Sequence, residues 1–425
     1  MHEDDLGSLR RQPRSGGSRR RRVAVIGAGA AGLCAAIHAA RAGADVVLLE
    51  RTGDGGRKIL ISGGGRCNVL PGTARPERFV TDSSPHTLRR ILRAWPLAEQ
   101  RRFFEAEMGI ELRHEPEFDK LFPIADRAQV VRDRLVAAVR GAGGTIGFGA
   151  RVTRLEPAAG GGWKVGVEGV EAIDVDAAVV ATGGLSVPAT GSDGDGLRWA
   201  ERLGHALTPA YPALTPLLAD PPIHADLAGV TLDVALRSTG AAALDLEGSF
   251  LFTHRGYSGP VVLDASHAAT RDPEAREAIL VRWGATTPER WEADLQEGAG
   301  QLGTLLSERL PTRLARALAN EAGVAWDASR ARIRREERHR LIECLTRYPL
   351  PWTGDEGYRK AEVTGGGVRL DQVHPRSLES RVTPGLYLCG EVLDAFGPIG
   401  GHNFMWAWAT GRTAGTAAAL ASERA

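Results

Sequence analysis

A glycine-rich turn near the start of the chain has the spacing of a nucleotide-binding loop. Gly27, Gly29 and Gly32 form the pattern GxGxxG between an apolar run, residues 23–27, and an alanine-rich stretch, residues 30–42. In such a strand, turn and helix, the first glycine makes the tight turn, the second lets a pyrophosphate touch the backbone, and the third packs the helix on the strand. The pyrophosphate then lies over free N–H groups at the helix start, where the helix dipole favours an anion. The spacing therefore predicts a dinucleotide site.

The next apolar run ends in a carboxylate that fits the same site. Residues 46–50 read VVLLE, and Glu50 follows Gly32 by eighteen positions. A carboxylate at the end of the second strand can accept both ribose hydroxyls, and it disfavours a 2′-phosphate. The alternative is a glycine set that only packs a helix, with an acid there by chance. The strand, turn, helix and strand context favours dinucleotide binding.

Two further side chains have the chemistry of redox or proton transfer, and each has an alternative interpretation. Cys67 is either a redox thiol or a small packed side chain, and it has no partner at CxxC spacing, which favours packing. His254 lies in the turn THRGYSGP, where it is either an acid or base for proton transfer or a structural loop histidine. No His, Cys and carboxylate cluster has metal-ligand spacing, so no metal site is predicted.

The composition favours a globular protein of two or three folded units. Of its 425 residues 43% are hydrophobic and 25% charged, and domains usually span about 100–200 residues. Its 53 basic and 52 acidic side chains give a formal charge of +1, so the body has no global field that attracts nucleic acid or an anionic membrane. The four cysteines form no CxxC pair, which is typical of a reducing compartment. We therefore expect a cytoplasmic protein with a small-molecule substrate, and the oligomeric state stays open.

The N-terminal segment has two interpretations. Its arginines precede the uncharged stretch 23–40 and resemble a twin-arginine signal. However, that stretch carries the three spaced glycines and leads into another apolar run, which favours a folded strand, turn and helix. Residues 1–22 are then expected to be a disordered tail, whose arginines are solubilising rather than an arm for nucleic acid.

The sequence pattern of the remaining chain changes several times, which predicts several structural segments. The first segments predict a right-handed βαβ unit of a parallel sheet. Residues 205–300 show short apolar runs broken by Pro and Gly, the pattern of an antiparallel sheet or small barrel. Residues 302–347 read as charged, leucine-spaced helices, and the chain ends in an alanine-rich helix, 404–421. Further helices are expected near 87–107 and 126–141, further strands at 145–155, a hairpin around 163–175 and a strand over 177–184.

A second glycine-rich loop decides between FAD and NAD. Residues 55–68 read GGRKILISGGGRCN, a basic loop that an NAD dehydrogenase does not need after its second strand. Together with GEVLDAFGPIGGHNFMWAWATG at residues 390–411, it resembles the HI-type, YhiN/BaiN-like and aminoacetone-oxidase-like family of FAD-dependent flavoproteins. Further motifs of the resemblance are LFP at 121–123, ATGG at 181–184, FTHRGYSGP at 252–260 and AEVTGGG at 361–367.

The resemblance implies a set of contacts to FAD. The loop 57–68 is expected to line the flavin, Gly390 and Glu391 with Asp394 to approach the ribityl and pyrophosphate region, and the turn 397–403 to face the pyrimidine edge. Val152 begins a strand whose backbone is expected to clasp adenine, although a valine there is more often only core. With the glycine turn and Glu50, the predicted cofactor-binding residues are Gly27, Gly29, Ala30, Ala31, Gly32, Glu50, Arg51, Arg57, Lys58, Ser62, Gly63, Gly64, Cys67, Asn68, Val152, Ala181, Thr182, Gly183, Gly390, Glu391, Asp394, Gly400, Gly401, His402, Asn403 and Phe404.

His402 is the one departure from the family pattern, where tyrosine is more common. A histidine in place of tyrosine would leave cofactor binding intact but would change the shape of the substrate that fits or the hydrogen bonding at the pyrimidine edge. Together with His254, His402 is therefore a candidate catalytic residue. Backbone N–H groups that begin the terminal helix would stabilise negative charge near N1 and O2 of a reduced flavin.

The predicted fold class is α/β, with a split Rossmann-type FAD-binding domain, an inserted β-barrel-like domain and a small helical subdomain. The expected bounds are 23–200 with 355–425 for the FAD-binding domain, 201–300 for the β-rich substrate domain, and 301–354 for the helical subdomain. The predicted function is an FAD-dependent oxidoreductase that exchanges a hydride between a small organic substrate and flavin N5.

Several alternatives to this function stay open. Re-oxidation by O₂ would make the protein an oxidase of the aminoacetone-oxidase type, and NAD(P)H as a transient electron donor would make it a reductase. A flavin-dependent tRNA-modification enzyme shares the motif and the split layout, although the near-neutral body argues against a nucleic-acid partner. A non-catalytic flavin-binding module is the third alternative.

Overall fold

The computed structural model describes residues 19–238, 244–275, 278–297 and 300–421. The chain forms two compact units, Met1–Ala210 with Val363–Ala425, and Tyr211–Glu362. The expected tail 1–22 lies outside the described residues as far as residue 18, and the first strand already begins at Arg22. Among the described residues, no helix has both the length and the apolar character needed to cross a membrane.

The strands are numbered here in chain order. They are β1 (Arg22–Ile26), β2 (Asp45–Glu50), β3 (Leu70–Pro71), β4 (Leu112–Glu115), β5 (Lys120–Pro123), β6 (Thr145–Phe148), β7 (Val152–Pro157), β8 (Trp163–Val167), β9 (Ile173–Val175), β10 (Ala177–Val180), β11 (Leu207–Ala213), β12 (Leu217–Leu218), β13 (Thr231–Ser238), β14 (Asp245–Thr253), β15 (Gly256–Ser258), β16 (Ile279–Trp283), β17 (Tyr348–Pro349), β18 (Gly354–Asp355), β19 (Val363–Val368) and β20 (Leu386–Leu388).

The α-helices are numbered in the same way. They are α1 (Ala30–Arg41), α2 (Arg57–Ile61), α3 (Pro85–Arg93), α4 (Leu97–Arg102), α5 (Ala128–Gly141), α6 (Asp195–Arg202), α7 (Pro260–Ala265), α8 (His267–Thr270), α9 (Pro288–Gln296), α10 (Leu302–Ser307), α11 (Thr312–Glu321), α12 (Arg335–Thr346) and α13 (His402–Leu420). Single turns of other helix types cover Ser62–Gly65, Pro76–Arg78, Phe103–Glu107, Pro188–Thr190, Ala225–Leu227, Arg330–Arg332, Leu370–Gln372 and Gly390–Val392.

The first unit is built on a five-stranded parallel sheet in the order β20, β10, β1, β2, β6. The strands are rich in Val, Leu, Ile and Ala, and β1 is buried along nearly all of its length. Such continuous apolar strands are typical of a parallel sheet that is covered on both faces. The predicted α/β fold with a Rossmann-type half is confirmed, and β1, α1, β2 and α13 begin within two residues of their expected starts.

Two expected elements are divided in the structure. The helical stretch near 87–107 is broken between α3 and α4, because Pro96 has no N–H for a helical hydrogen bond and its ring disfavours the α conformation of the preceding residue. The strand expected over 145–155 becomes β6 in the parallel sheet and β7 in an antiparallel sheet with β8 and β9. The division falls at Gly149, whose φ of 73° lies in the left-handed region.

Close packing of α13 against α1 brings both ends of the chain into one core. Gly411 and Gly415 of α13 lie so near α1 that a Cβ atom on either glycine would overlap the carbonyl oxygen of Ala31 or Ala35. Small residues on both helices therefore allow their backbones to touch. This contact fixes the start of α13 relative to the start of α1.

The second unit combines strands and helices around one core. Its antiparallel sheet has the order β17, β16, β13, β14, β15, β12, β18. Trp283 of β16, Trp291 of α9, Leu306 of α10 and Leu341 of α12 are fully buried in the same apolar cluster. The helices expected as a separate subdomain over 301–354 thus share the core of the strands, and the change between units falls at 210/211 and 362/363 instead of 200/201 and 354/355.

Candidate functional site

The three glycines of the first turn are required for different reasons. Gly27 has a φ of 101°, and a Cβ atom there would lie 2.6 Å from the carbonyl oxygen of Ala181. A Cβ atom on Gly32 would overlap the carbonyl oxygen of Gly27. Gly29, by contrast, has a φ of −77° and no atom within 4 Å of such a Cβ. Neither backbone strain nor protein packing requires glycine at position 29, and the open space leaves this backbone free for the close approach of a ligand.

Glu50 lies directly beside this turn and is nearly buried. One carboxylate oxygen accepts the N–H of Ala28 at 2.7 Å, and the other accepts the N–H of Thr52 at 2.8 Å and its hydroxyl at 2.7 Å. These bonds fix the carboxylate at the end of β2, next to the start of α1. The oxygen that accepts the N–H of Ala28 has a further lone pair for a ribose hydroxyl.

The segment after β6 passes next to Glu50. The N–H of Ala150 donates to the carbonyl oxygen of Glu50 at 2.8 Å, and the N–H of Gly149 donates to that of Thr52 at 2.9 Å. Val152 follows at the start of β7 with its side chain only 5% exposed. Its side chain is therefore core, while the contact of its backbone with adenine stays a prediction.

Arg51 is held by ion pairs to two carboxylates. Its guanidinium contacts the carboxylates of Asp193 and Asp195, close to the start of α6. Arg57 likewise binds Asp54 at 2.8 Å and is half-buried. Both arginines brace loops next to the site, and their direct contact with a cofactor stays a prediction.

Residues 181–183 follow β10 at the carboxyl end of the parallel sheet. The N–H of Ala181 donates to the carbonyl oxygen of Ile26 at 2.9 Å, which places this segment beside Gly27. Gly183 has a φ of 77°, and a Cβ atom there would lie 2.7 Å from the hydroxyl oxygen of Ser192. Thr182 is packed so closely against Gly196 that a Cβ atom on the glycine would overlap its hydroxyl.

The second glycine-rich loop has an unusual backbone. Gly63, Gly64 and Gly65 have φ values of 56°, 68° and 86°, and Cys67 also has a positive φ of 63°. Three successive residues in the left-handed region explain why this loop contains three glycines. Ser62 closes the preceding turn by donating its hydroxyl to the carbonyl oxygen of Ile59 at 2.8 Å.

Cys67 is a protonated, packed thiol in this structure. Its side chain is fully buried, and burial raises the pKa of the thiol to about 12. The thiolate is the reactive form of cysteine. Of the two interpretations of Cys67, the geometry therefore favours packing over redox chemistry.

Lys58 and Glu391 form the most connected charged pair of the unit. The ammonium of Lys58 lies 2.6 Å from one oxygen of Glu391 and 2.5 Å from the hydroxyl of Ser186. The other oxygen of Glu391 accepts the hydroxyl of Ser186 at 2.6 Å, and the N–H and hydroxyl of Thr364 at 2.9 and 2.8 Å. Burial opposes ionisation, but Lys58 and the two hydroxyls hold the pKa of Glu391 below its ordinary value.

Gly390 connects this pair to both helices of the first core. Its N–H donates to the hydroxyl of Thr410 at 2.9 Å, and its carbonyl oxygen accepts the indole N–H of Trp406 at 3.1 Å. A Cβ atom on Gly390 would lie 2.8 Å from the Cβ of Ala31. The carboxyl end of the sheet, the start of α1 and the first turns of α13 therefore meet at Gly390.

Side-chain amides shape the turn before α13. Asn403 accepts the N–H of Gly397 and donates to its carbonyl oxygen, both at 2.9 Å. With its amide oriented so that both ends are satisfied, Asn68 accepts the N–H of Gly401 at 2.9 Å and donates to the carbonyl oxygen of Leu70 at 3.1 Å. The N–H of Gly401 is therefore bound to protein. The predicted stabilisation of a reduced flavin would therefore involve the later N–H groups of the helix start.

His402 is the first residue of α13 and is 95% buried. Burial lowers the pKa of its imidazole to about 4, so the ring is neutral at pH 7. Neither ring nitrogen makes a hydrogen bond of normal geometry to the described residues. Buried polar atoms without partners are costly, which makes this ring a candidate for contact with a ligand.

Asp394 and Phe404 have structural partners of their own. One oxygen of Asp394 accepts the N–H of Asp82 at 3.1 Å and the hydroxyls of Ser83 and Thr208 at 3.0 and 3.1 Å, and it is 2% exposed. The ring of Phe404 stacks on Trp408 at 5.5 Å. In both cases a cofactor contact stays a prediction.

The structure brings most predicted cofactor residues to one edge of the parallel sheet, but not all. His254 belongs to the second unit, where it is exposed in the turn between β14 and β15, and its catalytic role stays a prediction. Sequence reasoning missed Ser186, Thr364 and Asp193. Thr364 stands in the recognised motif AEVTGGG, but nothing in that motif indicates that its hydroxyl binds Glu391.

These residues fit FAD. The open backbone at Gly29, the N–H groups at the start of α1 and the fixed carboxylate of Glu50 match a pyrophosphate and a ribose. The positively polarised start of α13 is joined to Asn68 of the second glycine-rich loop and suits a group that gains negative charge. Among the described residues, no group of three or more His, Cys, Asp and Glu side chains is placed to hold a metal ion.

A protein family model described as "HI0933-like protein Rossmann domain" matches residues 21–417. A ribosomal RNA dihydrouridine synthase of Escherichia coli is 33% identical over 392 residues, which cover 91% of this chain and 95% of that protein. A protein of the same name from Haemophilus influenzae is 33% identical, with 91% and 95% coverage. A 3-dehydro-bile acid delta(4,6)-reductase of Clostridium scindens is 32% identical, with 94% and 99% coverage.

Proposed function

The chain belongs to the HI0933-like family of FAD-dependent oxidoreductases, and on that premise we propose that it reduces a carbon–carbon double bond conjugated to a carbonyl group. The observation that carries this proposal is the bond type common to its relatives. A dihydrouridine differs from uridine by two hydrogens across C5 and C6, next to the C4 carbonyl. A delta(4,6)-reductase of a 3-oxo compound acts on the same kind of polarised bond.

The residues of the site would serve this reaction by holding the cofactor. Bound FAD, once reduced by the electron donor, would supply a hydride to one carbon of the double bond and return to its oxidised form, and a proton would complete the other carbon. Gly29, the start of α1 and Glu50 would bind the pyrophosphate and ribose. The loop 57–68 and the network of Lys58 and Glu391 would position the flavin ring. His402 is neutral, and its ring nitrogens make no hydrogen bond of normal geometry to the described residues, so it is our candidate for a hydrogen bond to the substrate carbonyl or to the flavin edge.

We propose a uridine of ribosomal RNA as the substrate. Two relatives that match almost the whole chain carry that activity in their names. This proposal departs from the expectation of a small-molecule substrate, which rested on the near-neutral total charge. The total charge of a protein does not show how charged residues are distributed over its surface. The reductive names favour a reductase over an oxidase, and we propose NAD(P)H as the electron donor.

A small conjugated enone is the second candidate substrate. The Clostridium scindens reductase covers even more of the chain, at nearly the same identity. Both candidates require the same bond reduction, so they differ only in what the protein recognises around that bond.

The experiment is an assay of both substrates with one preparation. The FAD-loaded protein is incubated with NADPH or NADH and either an unmodified ribosomal RNA transcript or a conjugated 3-oxosteroid. The RNA is digested to nucleosides, and mass spectrometry measures dihydrouridine. We expect dihydrouridine only with FAD and a reductant present. Reduction of the steroid alone would favour the second candidate, and reduction of neither would contradict the proposed function.

A further inference from the structure

The second unit carries a local concentration of positive charge that the flavin chemistry does not use. Residues 329–340, called here the arginine strip, read SRARIRREERHR and contain six arginines and two glutamates. The strip therefore carries four excess positive charges, whereas the whole chain carries one. It covers a short helical turn, Arg330–Arg332, and the first half of α12.

Two arginines of the strip are left for an external partner. Arg334 is paired with Glu337 at 2.6 Å, and Arg338 is paired with Glu292 at 3.0 Å. Arg332 and Arg335 are exposed and form no ion pair with any residue in the described ranges. Many exposed arginines elsewhere in this unit do have a carboxylate partner, as Arg237 has in Asp245.

The backbone of the strip is held in place by its neighbours. Ile333 is buried in the apolar core between the two free arginines. The N–H of Arg330 donates to the carbonyl oxygen of Gly300 at 3.1 Å, and the guanidinium of Arg340 donates to that of Ala322 at 3.0 Å. The charges are therefore presented by a fixed backbone, which lowers the entropy cost of binding.

We propose that the arginine strip is a docking surface for the phosphate backbone of RNA. This inference rests on the proposed function, because it supplies the contact that a ribosomal RNA substrate needs away from the reacting base. Guanidinium groups bind phosphate oxygens in a planar, forked geometry. None of the large exposed apolar side chains of the described residues lies in the strip. It therefore lacks the residues with which a basic helix enters a membrane surface.

The test compares two double variants of the FAD-loaded protein that lose the same charge. One is Arg332→Ala with Arg335→Ala, and its matched control is Arg237→Ala with Arg290→Ala. The control arginines are exposed on the same unit, and each has a carboxylate partner. Affinity for a ribosomal RNA transcript is measured by fluorescence anisotropy over a range of salt concentrations, with flavin content as the check of folding.

We expect the strip variant to bind RNA about tenfold more weakly, with the control within twofold of wild type. The slope of log affinity against log salt should become shallower by about 1.4, since each lost phosphate contact contributes about 0.7 for single-stranded RNA. An equal loss in both variants would assign the effect to net charge and overturn the proposal.

The remaining outcomes separate this inference from the proposed function. If wild type binds and reduces the RNA but the strip variant binds equally well, the docking surface is overturned and the proposed function stands. If wild type neither binds nor reduces RNA, the docking surface and the RNA substrate are both overturned, and the assay with the conjugated 3-oxosteroid decides whether the proposed bond reduction stands. Loss of binding to phosphatidylglycerol vesicles with unchanged RNA affinity would identify a membrane contact and overturn the proposal.

Discussion

At the scale of single residues, the glycines of the first turn differ in whether folding or ligand binding depends on them. Gly27 and Gly32 are required by the protein itself, since a Cβ atom at either position meets backbone. Gly29 has an ordinary φ and free space around it. Substitutions at Gly27 or Gly32 should therefore affect folding, whereas a substitution at Gly29 should affect binding.

We predict that Gly29→Ala folds normally but binds FAD at least tenfold more weakly. The added methyl group would stand where the pyrophosphate must touch the backbone. Gly32→Ala, the matched variant, should instead lower the melting temperature, because its methyl overlaps the carbonyl oxygen of Gly27. Calorimetric titration of the apoproteins with FAD, together with thermal unfolding, distinguishes the two effects. Equal FAD affinity of Gly29→Ala and wild type would show that no phosphate passes this turn.

Glu50→Ala should weaken FAD binding by tenfold or more. The substitution removes the ribose acceptor, and it leaves the N–H groups of Ala28 and Thr52 without their partner. Hydrogen bonds to charged groups contribute about 1.5–3 kcal/mol each. The affinity of the apoprotein for FAD measures the loss. An exposed acid of the same unit, varied as Glu168→Ala, is the control, and equal affinity of both variants would exclude a ribose contact at Glu50.

The pair of Lys58 and Glu391 predicts a pH dependence. The folded-state pKa of Glu391 is lowered relative to its unfolded value, near 4.3. Its ionisation therefore stabilises the fold above that pH, and this stabilisation is lost as the pH falls through the lower, folded-state pKa. The gap in melting temperature between wild type and Glu391→Gln should be largest near pH 7 and should shrink below about pH 4. A gap that is constant between pH 7 and 3 would contradict the assignment.

The turn before α13 shows how far residue-level inference from sequence reaches. The glycines at 400 and 401 and their positive φ values follow the expectation of a tight turn. The partner of the Gly401 N–H could not be predicted in this way. It is Asn68, which lies 333 positions earlier in the chain. A hydrogen bond across that separation depends on the tertiary fold and leaves no local pattern.

At the scale of elements, the contact of α1 with α13 is the feature that builds the site. The two helices touch through Gly411 and Gly415, and Gly390 lies against Ala31 of α1 and Trp406 of α13. The strand and helix assignments of this core were predictable, because apolar runs and glycine turns set them locally. The sharing of one core by the helices and strands of the second unit could not be predicted from the sequence. It depends on side chains such as Trp283 and Trp291, which meet only after folding.

Gly415→Ala should destabilise the first unit and reduce its flavin content. A methyl group there overlaps the carbonyl oxygen of Ala35, so the helices must move apart. Overpacking of this kind usually costs about 1–3 kcal/mol. Thr416→Ala on the same helix is the control, since its side chain is only half-buried. The flavin-to-protein ratio and the melting temperature are measured for both. An unchanged ratio and melting temperature in Gly415→Ala would mean that the two helices lie farther apart than described.

At the scale of the whole molecule, charge distribution carries more information than charge balance. The chain has one excess positive charge in total, yet residues 329–340 alone have four. The balance led to the expectation of a small-molecule partner. The distribution, with the relatives that act on ribosomal RNA, supports an RNA substrate instead.

The central claim is that the bound flavin reduces a polarised double bond, and an anaerobic half-reaction tests it without assuming an electron donor. The FAD-loaded protein is photoreduced in the absence of oxygen, with EDTA as the sacrificial electron donor, and is then mixed with an unmodified ribosomal RNA transcript. We predict that the yellow absorbance of oxidised flavin returns, with one dihydrouridine formed for each flavin oxidised. A flavin that stays reduced in the presence of both RNA and a conjugated enone, and then re-oxidises with oxygen alone, would contradict the claim.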